Sequence, residues 1–190
     1  MPKRKIYQQN QLNFLTLTVV GWIDIFSRAT HRDLIIKSLE YCQKNKGLAV
    51  HAYVIMSNHI HLVSRAKKEN NRGLSHILCD FKKFTSRAII DAVKHQPESR
   101  RDWLLYMFEH HAKFNSNNPK HQFWMQKNHP TALWLPTVIQ QKVNYIHANP
   151  VKAKIVKKAS HYLYSSAINY ETNNEQGLLE VELLQEMFLL

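Results

Sequence analysis

The sequence predicts an α+β fold of the ferredoxin-like (RRM-like) class, which is an antiparallel sheet with helices packed on one face. The order of its segments supports this prediction, since strand, helix, strand, strand, helix and a further strand follow one another as in a split βαβ unit. Composition supports it too, because 44% hydrophobic residues in a chain of 190 are typical of one globular domain with a full core. We therefore expect a single domain over residues 1–190, with a C-terminal extension from about residue 170. The second face of the sheet is expected to stay open for a ligand.

The first part of the chain supplies three of the predicted strands. β-branched and aromatic residues over 13–20 predict the first strand. Apolar residues at helical spacing predict a helix over 31–46, which Gly47 ends as a C-cap. The segments 48–56 and 59–65 then predict two antiparallel strands joined by a tight turn.

The second part of the chain is mostly helical by pattern. A clear apolar stripe predicts a helix over 73–94, and a shorter helix is expected over 101–111. Residues 121–125 are the candidate for the further short strand. The last long helix is predicted over 136–148, and Pro150 ends it because a proline drives the residue before it out of the α region.

The charge balance indicates a polyanionic partner. The chain has 26 Lys and Arg against 14 Asp and Glu, a formal net charge of +12, and basic domains gain affinity for nucleic acid by releasing its condensed counterions. A membrane is disfavoured, because the sequence has neither a run of 18 apolar residues nor a dominant basic amphipathic helix. Cys42 and Cys79 lack paired spacing and no signal-peptide pattern is present, so we expect a cytoplasmic protein.

The tripeptide His59-Ile60-His61 is the first candidate for chemistry. Two imidazoles at i and i+2 of a strand point to the same side of a sheet, which makes a bidentate metal site. The flanking Ile60 and Leu62 favour a buried opposite face and hence a rigid pair. The alternative is a pair of hydrogen-bonded imidazoles that hold no metal, which is the commoner use of an isolated His-X-His.

The helix predicted over 136–148 carries the second candidate. Tyr145 and Asn149 are four residues apart and so share one helical face. A tyrosine, with an ordinary pKa of about 10, needs a metal or basic surroundings that polarise the phosphorus it attacks. The side-chain oxygen of Asn149 would complete a three-ligand metal site with the two histidines and leave positions for phosphate oxygens.

Three separated motifs in this chain resemble those of the single-tyrosine HUH transposases, in particular the REP-associated tyrosine transposases and the related insertion-sequence transposases. The resemblance spans about residues 14–169. The motifs are Ile55-Met-Ser-Asn-His-Ile-His-Leu62, Phe81-Lys-Lys-Phe-Thr-Ser86 and Tyr145-Ile-His-Ala-Asn-Pro-Val-Lys152.

The resemblance implies a role for each matching residue. His59 and His61 match the metal-binding histidines of the family, Tyr145 matches the catalytic tyrosine, and Asn149 matches the polar residue one turn later that helps to hold the metal. The implied cation is Mg²⁺ or Mn²⁺, which suits amide and phosphate oxygens, although two imidazoles also accept Zn²⁺.

The resemblance also implies a reaction and a partner. The family breaks and rejoins single-stranded DNA at the foot of an imperfect hairpin, through a 5′-phosphotyrosine link and a free 3′-OH. The implied partner is therefore single-stranded or hairpin DNA, and the implied location is the nucleoid of a bacterial-type cytoplasm. No membrane partner is implied. Some relatives work as homodimers and others as monomers, so the oligomeric state stays open.

Five basic residues are predicted to contact the DNA backbone. A solvated charged face is an equally good interpretation of them. The residues are Lys82, Lys83 and Arg87 in the second long helix, and Lys152 and Lys154 after the tyrosine.

Two other functions stay open from sequence. The first is a non-catalytic single-stranded nucleic-acid binding module on the same sheet, with structural histidines. The second is a metal-dependent phosphodiester hydrolase in which Tyr145 only positions the substrate. The apolar and acidic segment 177–184 is expected to add an edge strand or a short helix, or to contact a partner.

Overall fold

The protein is built on a four-stranded antiparallel sheet with the strand order β2-β3-β1-β4. This is the order of a split βαβ unit and confirms the predicted fold class. The strands are β1 (Asn13–Thr18), β2 (Leu48–Ile55), β3 (His59–Ala66) and β4 (Thr131–Ala132). The structure, a computed structural model, describes residues 6, 8–69, 72–114, 120–126 and 128–184.

Five helices accompany the sheet in the described part of the chain. The predicted Gly47 cap is confirmed, since Gly47 follows the first helix at φ +64° and donates its N–H to the carbonyl of Cys42. No helix among the described residues is long and apolar enough to cross a membrane. The helices are α1 (Ala29–Lys46), α2 (Gly73–His95), α3 (Arg101–Ala112), α4 (Pro136–Lys152) and α5 (Ala167–Thr172).

The two faces of the sheet are used differently. One face presents Leu15, Ile60 and Leu62, which are fully buried beneath α1 and α2. The alternation of side chains places His59 and His61 on the other face. Helix α4 lies on that second face, against β2 and β3, so the expected open face is partly covered by the helix that carries Tyr145.

The prediction of a short strand over residues 121–125 is wrong, because the short fourth strand lies elsewhere in the chain. That segment runs beside the end of β1 and makes one isolated bridge, between Trp124 and Val19. Its apolar side chains serve the core rather than a ladder, since Phe123 and Trp124 are buried. The fourth strand is the two-residue β4, which pairs with Asn13 and Phe14.

The predicted end of the tyrosine helix at Pro150 is also wrong. Helix α4 continues to Lys152, with Pro150 inside it and buried. A proline this close to a helix end removes one hydrogen bond from the helix. It disfavours the α conformation of the preceding residue but does not forbid it. Carbonyls of the last turn stay paired, since Ala153 donates to Asn149 and Ile155 donates to Pro150, both at 2.9 Å.

The C-terminal segment lies along β2. Its backbone N–H at Glu182 donates to the carbonyl of Val50 at 2.8 Å, and the side chains of Leu179, Val181 and Leu184 are buried. Up to Leu184 the segment is neither a strand nor a helix, unlike the edge strand or short helix that the sequence suggested. We call residues 177–184 the C-terminal strap.

Candidate active site

The register of β1 against β3 places the two histidines beside hydroxyl side chains. His61 is opposite Thr16 and His59 is opposite Thr18 across the ladder. The imidazole centroids of His59 and His61 are 4.7 Å apart, with ring planes at 69°. The period of two therefore brings both rings to one place on the sheet, as the sequence predicted.

Hydrogen bonds fix the Nδ1 atoms of both rings. His59 Nδ1 lies 2.6 Å from the side-chain oxygen of Asn58, whose amide nitrogen donates to the carbonyl of Trp22. Because a carbonyl oxygen only accepts, His59 carries its proton on Nδ1 and keeps a lone pair on Nε2. His61 Nδ1 lies 3.0 Å from the hydroxyl of Thr16, which can accept or donate, and where His61 donates to it the Nε2 of His61 keeps its lone pair. Metal-binding histidines are commonly oriented in this way.

Both imidazoles are uncharged at neutral pH. Burial, together with the neighbouring His59 and Lys142, lowers the pKa of His61 to about 3. Burial also lowers the pKa of His59. A neutral imidazole is the form that binds a metal, so the pair is ready to coordinate without first losing a proton.

Tyr145 faces this pair from α4. Its hydroxyl lies 3.4 Å from Nε2 of His61, and the two ring centroids are 5.2 Å apart. Phe14 supports both residues, because it stacks on the His61 ring at 5.3 Å and meets the Tyr145 ring edge-on at 6.0 Å. The phenol is 40% exposed, so a substrate reaches it from solvent.

Two lysines flank the phenol. The ammonium of Lys142 lies 4.8 Å from the centroid of the Phe14 ring and 5.7 Å from that of Tyr145. The ammonium of Lys152 lies 5.9 Å from the centroid of the Tyr145 ring. These lysines and Tyr145 line a shallow cleft of about 320 Å³. Its positive charge suits a phosphate group.

Helix α4 is fastened to the sheet of its own chain two residues after the tyrosine. His147 Nε2 lies 2.9 Å from the hydroxyl oxygen of Ser166, which also accepts the backbone N–H of Tyr53 in β2 at 2.9 Å. Ser166 in turn donates its own N–H to the carbonyl of Tyr53 at 3.0 Å. Burial lowers the pKa of His147 to about 4, so this link is made by a neutral imidazole.

Asn149 lies on the same helix one turn further on. Its amide nitrogen donates to the carbonyl of Tyr145 at 2.7 Å, which leaves the amide oxygen as the free end of the side chain. Within the described part of the chain, Asn149 makes no hydrogen bond to His59 or His61. The structure therefore brings the tyrosine to the histidines, and Asn149 stays a predicted ligand.

The donor set fits a cation that takes its remaining ligands from a substrate. His59 and His61 lie beside each other and beside Tyr145, with their Nδ1 atoms hydrogen-bonded to Asn58 and Thr16. In the described part of the chain, no group of three His, Cys, Asp or Glu side chains is placed to hold a metal.

The predicted DNA contacts fall into three groups. Lys82 is used internally, because its ammonium donates to the carbonyl of Met125 at 2.6 Å and to the side-chain oxygen of Asn128 at 2.8 Å. Burial lowers its pKa to about 8, which favours a structural role. Lys83 and Arg87 line a separate groove of about 870 Å³ beside α2. Lys152 is at the phenol, and Lys154 is exposed just beyond α4.

Sequence reasoning missed three residues of the site and misjudged a fourth. Phe14 and Thr16 alternate along β1 and so face His61, a signal that was present in the strand pattern. Asn58 precedes the histidines and contacts His59 through its side chain. Lys142 lies one turn before Tyr145 on the same helical face; this spacing suggested an effect on the phenol, but a surface lysine was the preferred interpretation, whereas the ammonium lies 5.7 Å from the centroid of the Tyr145 ring.

The fold and site together define a class of protein: a ferredoxin-like sheet with a strand-borne His-X-His pair facing a helix-borne tyrosine. One solved structure of a REP-associated tyrosine transposase bound to a REP hairpin matches this chain with a TM-score of 0.61, over 96% of this chain and 92% of that one, at 16% identity. The chain therefore shares the fold of that transposase, and the resemblance seen in the motifs is supported at the level of fold.

The other comparisons add little. A structure of a proposed transposase from Deinococcus radiodurans R1 matches with a TM-score of 0.43, over 77% of this chain and 95% of that one, at 16% identity, and it enters no argument below. No protein-family model matches the chain, and no curated protein matches it significantly.

Proposed function

We propose that the protein is a DNA transposase that cuts and joins single strands through Tyr145. The observation that carries this proposal is the 3.4 Å approach of the Tyr145 hydroxyl to Nε2 of His61, between residues 84 positions apart in one chain. Such a convergence of a nucleophile and two uncharged metal-ligand side chains, on a sheet shared with a tyrosine transposase, favours phosphoryl transfer over a purely structural use of the histidines.

The proposed step is a transesterification. The phenol oxygen of Tyr145 bonds to the phosphorus, the bond from phosphorus to the 3′ oxygen breaks, and the proton lost by the phenol is balanced by the proton gained by the new 3′-OH. The product is a 5′-phosphotyrosine ester. Because the ester keeps the energy of the phosphodiester bond, a second 3′-OH reverses the step and joins strands without ATP.

His59 and His61 would hold a divalent cation through their Nε2 atoms, and the amide oxygen of Asn149 would be the third protein ligand. When bound, Mg²⁺ or Mn²⁺ supplies Lewis-acid polarisation of the phosphate. The chain itself supplies the positions: Phe14 holds the Tyr145 and His61 rings, and Lys142 and Lys152 attract the anionic strand to the phenol.

The proposed substrate is single-stranded DNA with a hairpin. Its support is threefold: the net charge of +12, the exposed cleft at Tyr145, and the REP hairpin bound to the transposase whose fold this chain shares. The phenol is only half exposed and lies over the sheet, so a phosphate of the substrate has to come close to the protein surface to reach it. A single strand suits such an approach.

A covalent trapping experiment tests the proposal. The protein is incubated with Mg²⁺ or Mn²⁺ and a pool of end-labelled hairpin DNAs with randomised stems and flanks, and adducts are counted on a denaturing gel. We expect wild-type protein to form an adduct, and Tyr145→Phe and His59→Ala to form none. Tyr41→Phe is the matched control, because Tyr41 is a similarly exposed tyrosine on α1.

The two alternative functions give different results in the same experiment. Retained DNA without any new ends would indicate a binding module. New 5′-phosphate ends without an adduct, made equally well by Tyr145→Phe, would indicate a hydrolase that uses water. Either result would overturn the proposed tyrosine chemistry.

A further inference from the structure

Trp22 is an exposed tryptophan beside the candidate active site. It is the last residue of the short 3₁₀ turn Val20–Trp22 that follows β1. Its side chain is 59% exposed, whereas Trp124, which lies nearby in the core, is 5% exposed. Single exposed aromatic side chains are common on protein surfaces, so Trp22 is distinguished by its place beside His59 and not by its exposure.

The backbone holds Trp22 in a conformation that costs energy. Trp22 has φ +56°, in the left-handed region that residues with a Cβ rarely adopt. The preceding Gly21 has φ +61°, and a Cβ on it would lie 2.8 Å from Nε2 of His111 in α3. The turn is therefore pressed against α3, and such conformations persist only where their surroundings enforce them.

The turn is also tied directly to the metal-binding histidine. The side chain of Asn58 donates to the carbonyl of Trp22 at 3.2 Å and accepts from Nδ1 of His59 at 2.6 Å. The indole meets the His59 ring edge-on, with centroids 6.2 Å apart and planes at 72°. One asparagine thus joins the backbone of Trp22 to the imidazole of His59.

We propose that Trp22 is a stacking platform for one base of the single strand whose phosphate lies at His59 and His61. The inference rests on the proposed function for where that strand lies. Stacking suits this residue, because every base has a π-face and the exposed indole offers it a broad aromatic surface. Lys142 and Lys152 attract the backbone at the phenol, and Trp22 holds a base at the His59 end of the site.

A binding assay without metal tests the inference separately from cleavage. Fluorescence anisotropy in EDTA gives the Kd of labelled (dT)12 and of an abasic dodecamer that has the same phosphates and no bases. The ratio of these two Kd values measures the contribution of the bases. We expect wild-type protein to prefer (dT)12, and Trp22→Ala to reduce the preference by about five- to a hundredfold.

Trp22→Gly separates stacking from folding. Because glycine adopts positive φ freely, this variant is expected to melt at or above the wild-type temperature while it loses the same preference for bases. Tyr41→Ala is the matched control: Tyr41 is 57% exposed on α1, across the sheet from the histidines, and we expect its removal to leave the Kd ratio unchanged.

The outcomes separate the two proposals. An unchanged Kd ratio in a folded Trp22→Gly protein overturns the stacking role, even where the covalent adduct forms. A reduced ratio supports the stacking role, even where no adduct is trapped and the tyrosine chemistry is wrong. An equal reduction in Tyr41→Ala also overturns it, because the effect would then not belong to the Trp22 position.

Discussion

At the scale of single residues, the orientation of His61 is supported by the hydroxyl of Thr16 as well as by the ring of Phe14. Thr16 is half-buried in β1 and is the partner of His61 Nδ1, at 3.0 Å. Without that partner the buried imidazole loses the hydrogen bond at Nδ1 that helps to hold its ring. The proposed metal site thus depends on a strand residue that takes no part in the chemistry.

Thr16→Val is expected to weaken Mn²⁺ binding about 10- to 100-fold, because valine keeps the shape and strand preference of threonine and removes the hydroxyl. Titration calorimetry on the folded protein measures the change. Thr16→Ser restores a hydroxyl and is expected to recover most of the affinity. Equal binding by the valine and serine variants would show that the Thr16 hydroxyl does not orient His61.

At the scale of elements, the buried histidine His51 of β2 joins that strand to the C-terminal strap. His51 lies 2.8 Å from the carbonyl of Glu182 through Nδ1, and it is 4% exposed. Burial lowers its pKa to about 4, and this outweighs the carboxylate and carbonyl of Glu182, which act in the opposite direction. The strap is therefore held by an imidazole that stays neutral in the folded protein and is protonated in the unfolded chain below pH 6.5.

Stability is therefore expected to fall as the pH falls from 7.5 to 5.0, since the unfolded state then binds one more proton at His51 than the folded state. His51 accounts for about 2 kcal/mol of this loss, the effect of 1.5 pH units below the unfolded pKa. Urea unfolding of wild type and His51→Gln at both pH values measures it. The variant should lose about 2 kcal/mol less than wild type, and identical losses would contradict the assignment.

Some elements were predicted from the sequence and others were not, according to whether a local pattern sets them. The hairpin of β2 and β3 and the helices α1 and α2 are set by local patterns, namely apolar periodicity and a glycine cap. Strand β4 has two residues and exists because Asn13 and Phe14 pair with it, which no local pattern reports. The end of α4 was misjudged because the burial of Pro150 outweighs a local bias.

At the scale of the whole molecule, charge and topology act together. The sequence motifs identified Tyr145, His59 and His61, and the fold was needed to bring the helix onto the sheet. The supporting residues Phe14, Thr16 and Lys142 carry no motif, since what they do depends on which neighbours they meet. The net charge of +12 predicted an anionic partner without showing which surface binds it.

Salt dependence is expected to identify that surface. Lys152→Gln should reduce the slope of log Kd against log salt for (dT)12 by about 0.7, the value for one phosphate contact on a single strand. Lys37→Gln, at an exposed position of α1, is the control and should leave the slope unchanged. Anisotropy titrations from low to moderate salt give both slopes. An unchanged slope for Lys152→Gln would place the strand away from Tyr145.

The fastening of α4 has a consequence for how the protein behaves on dilution. His147, Ser166 and Tyr53 join the helix that carries Tyr145 to β2 within a single polypeptide, so the phenol and the imidazole of His61 that it faces come from the same molecule. Folding of one chain is enough to bring Tyr145 to His61. This contact is therefore a property of the folded chain, and dilution does not separate the two residues.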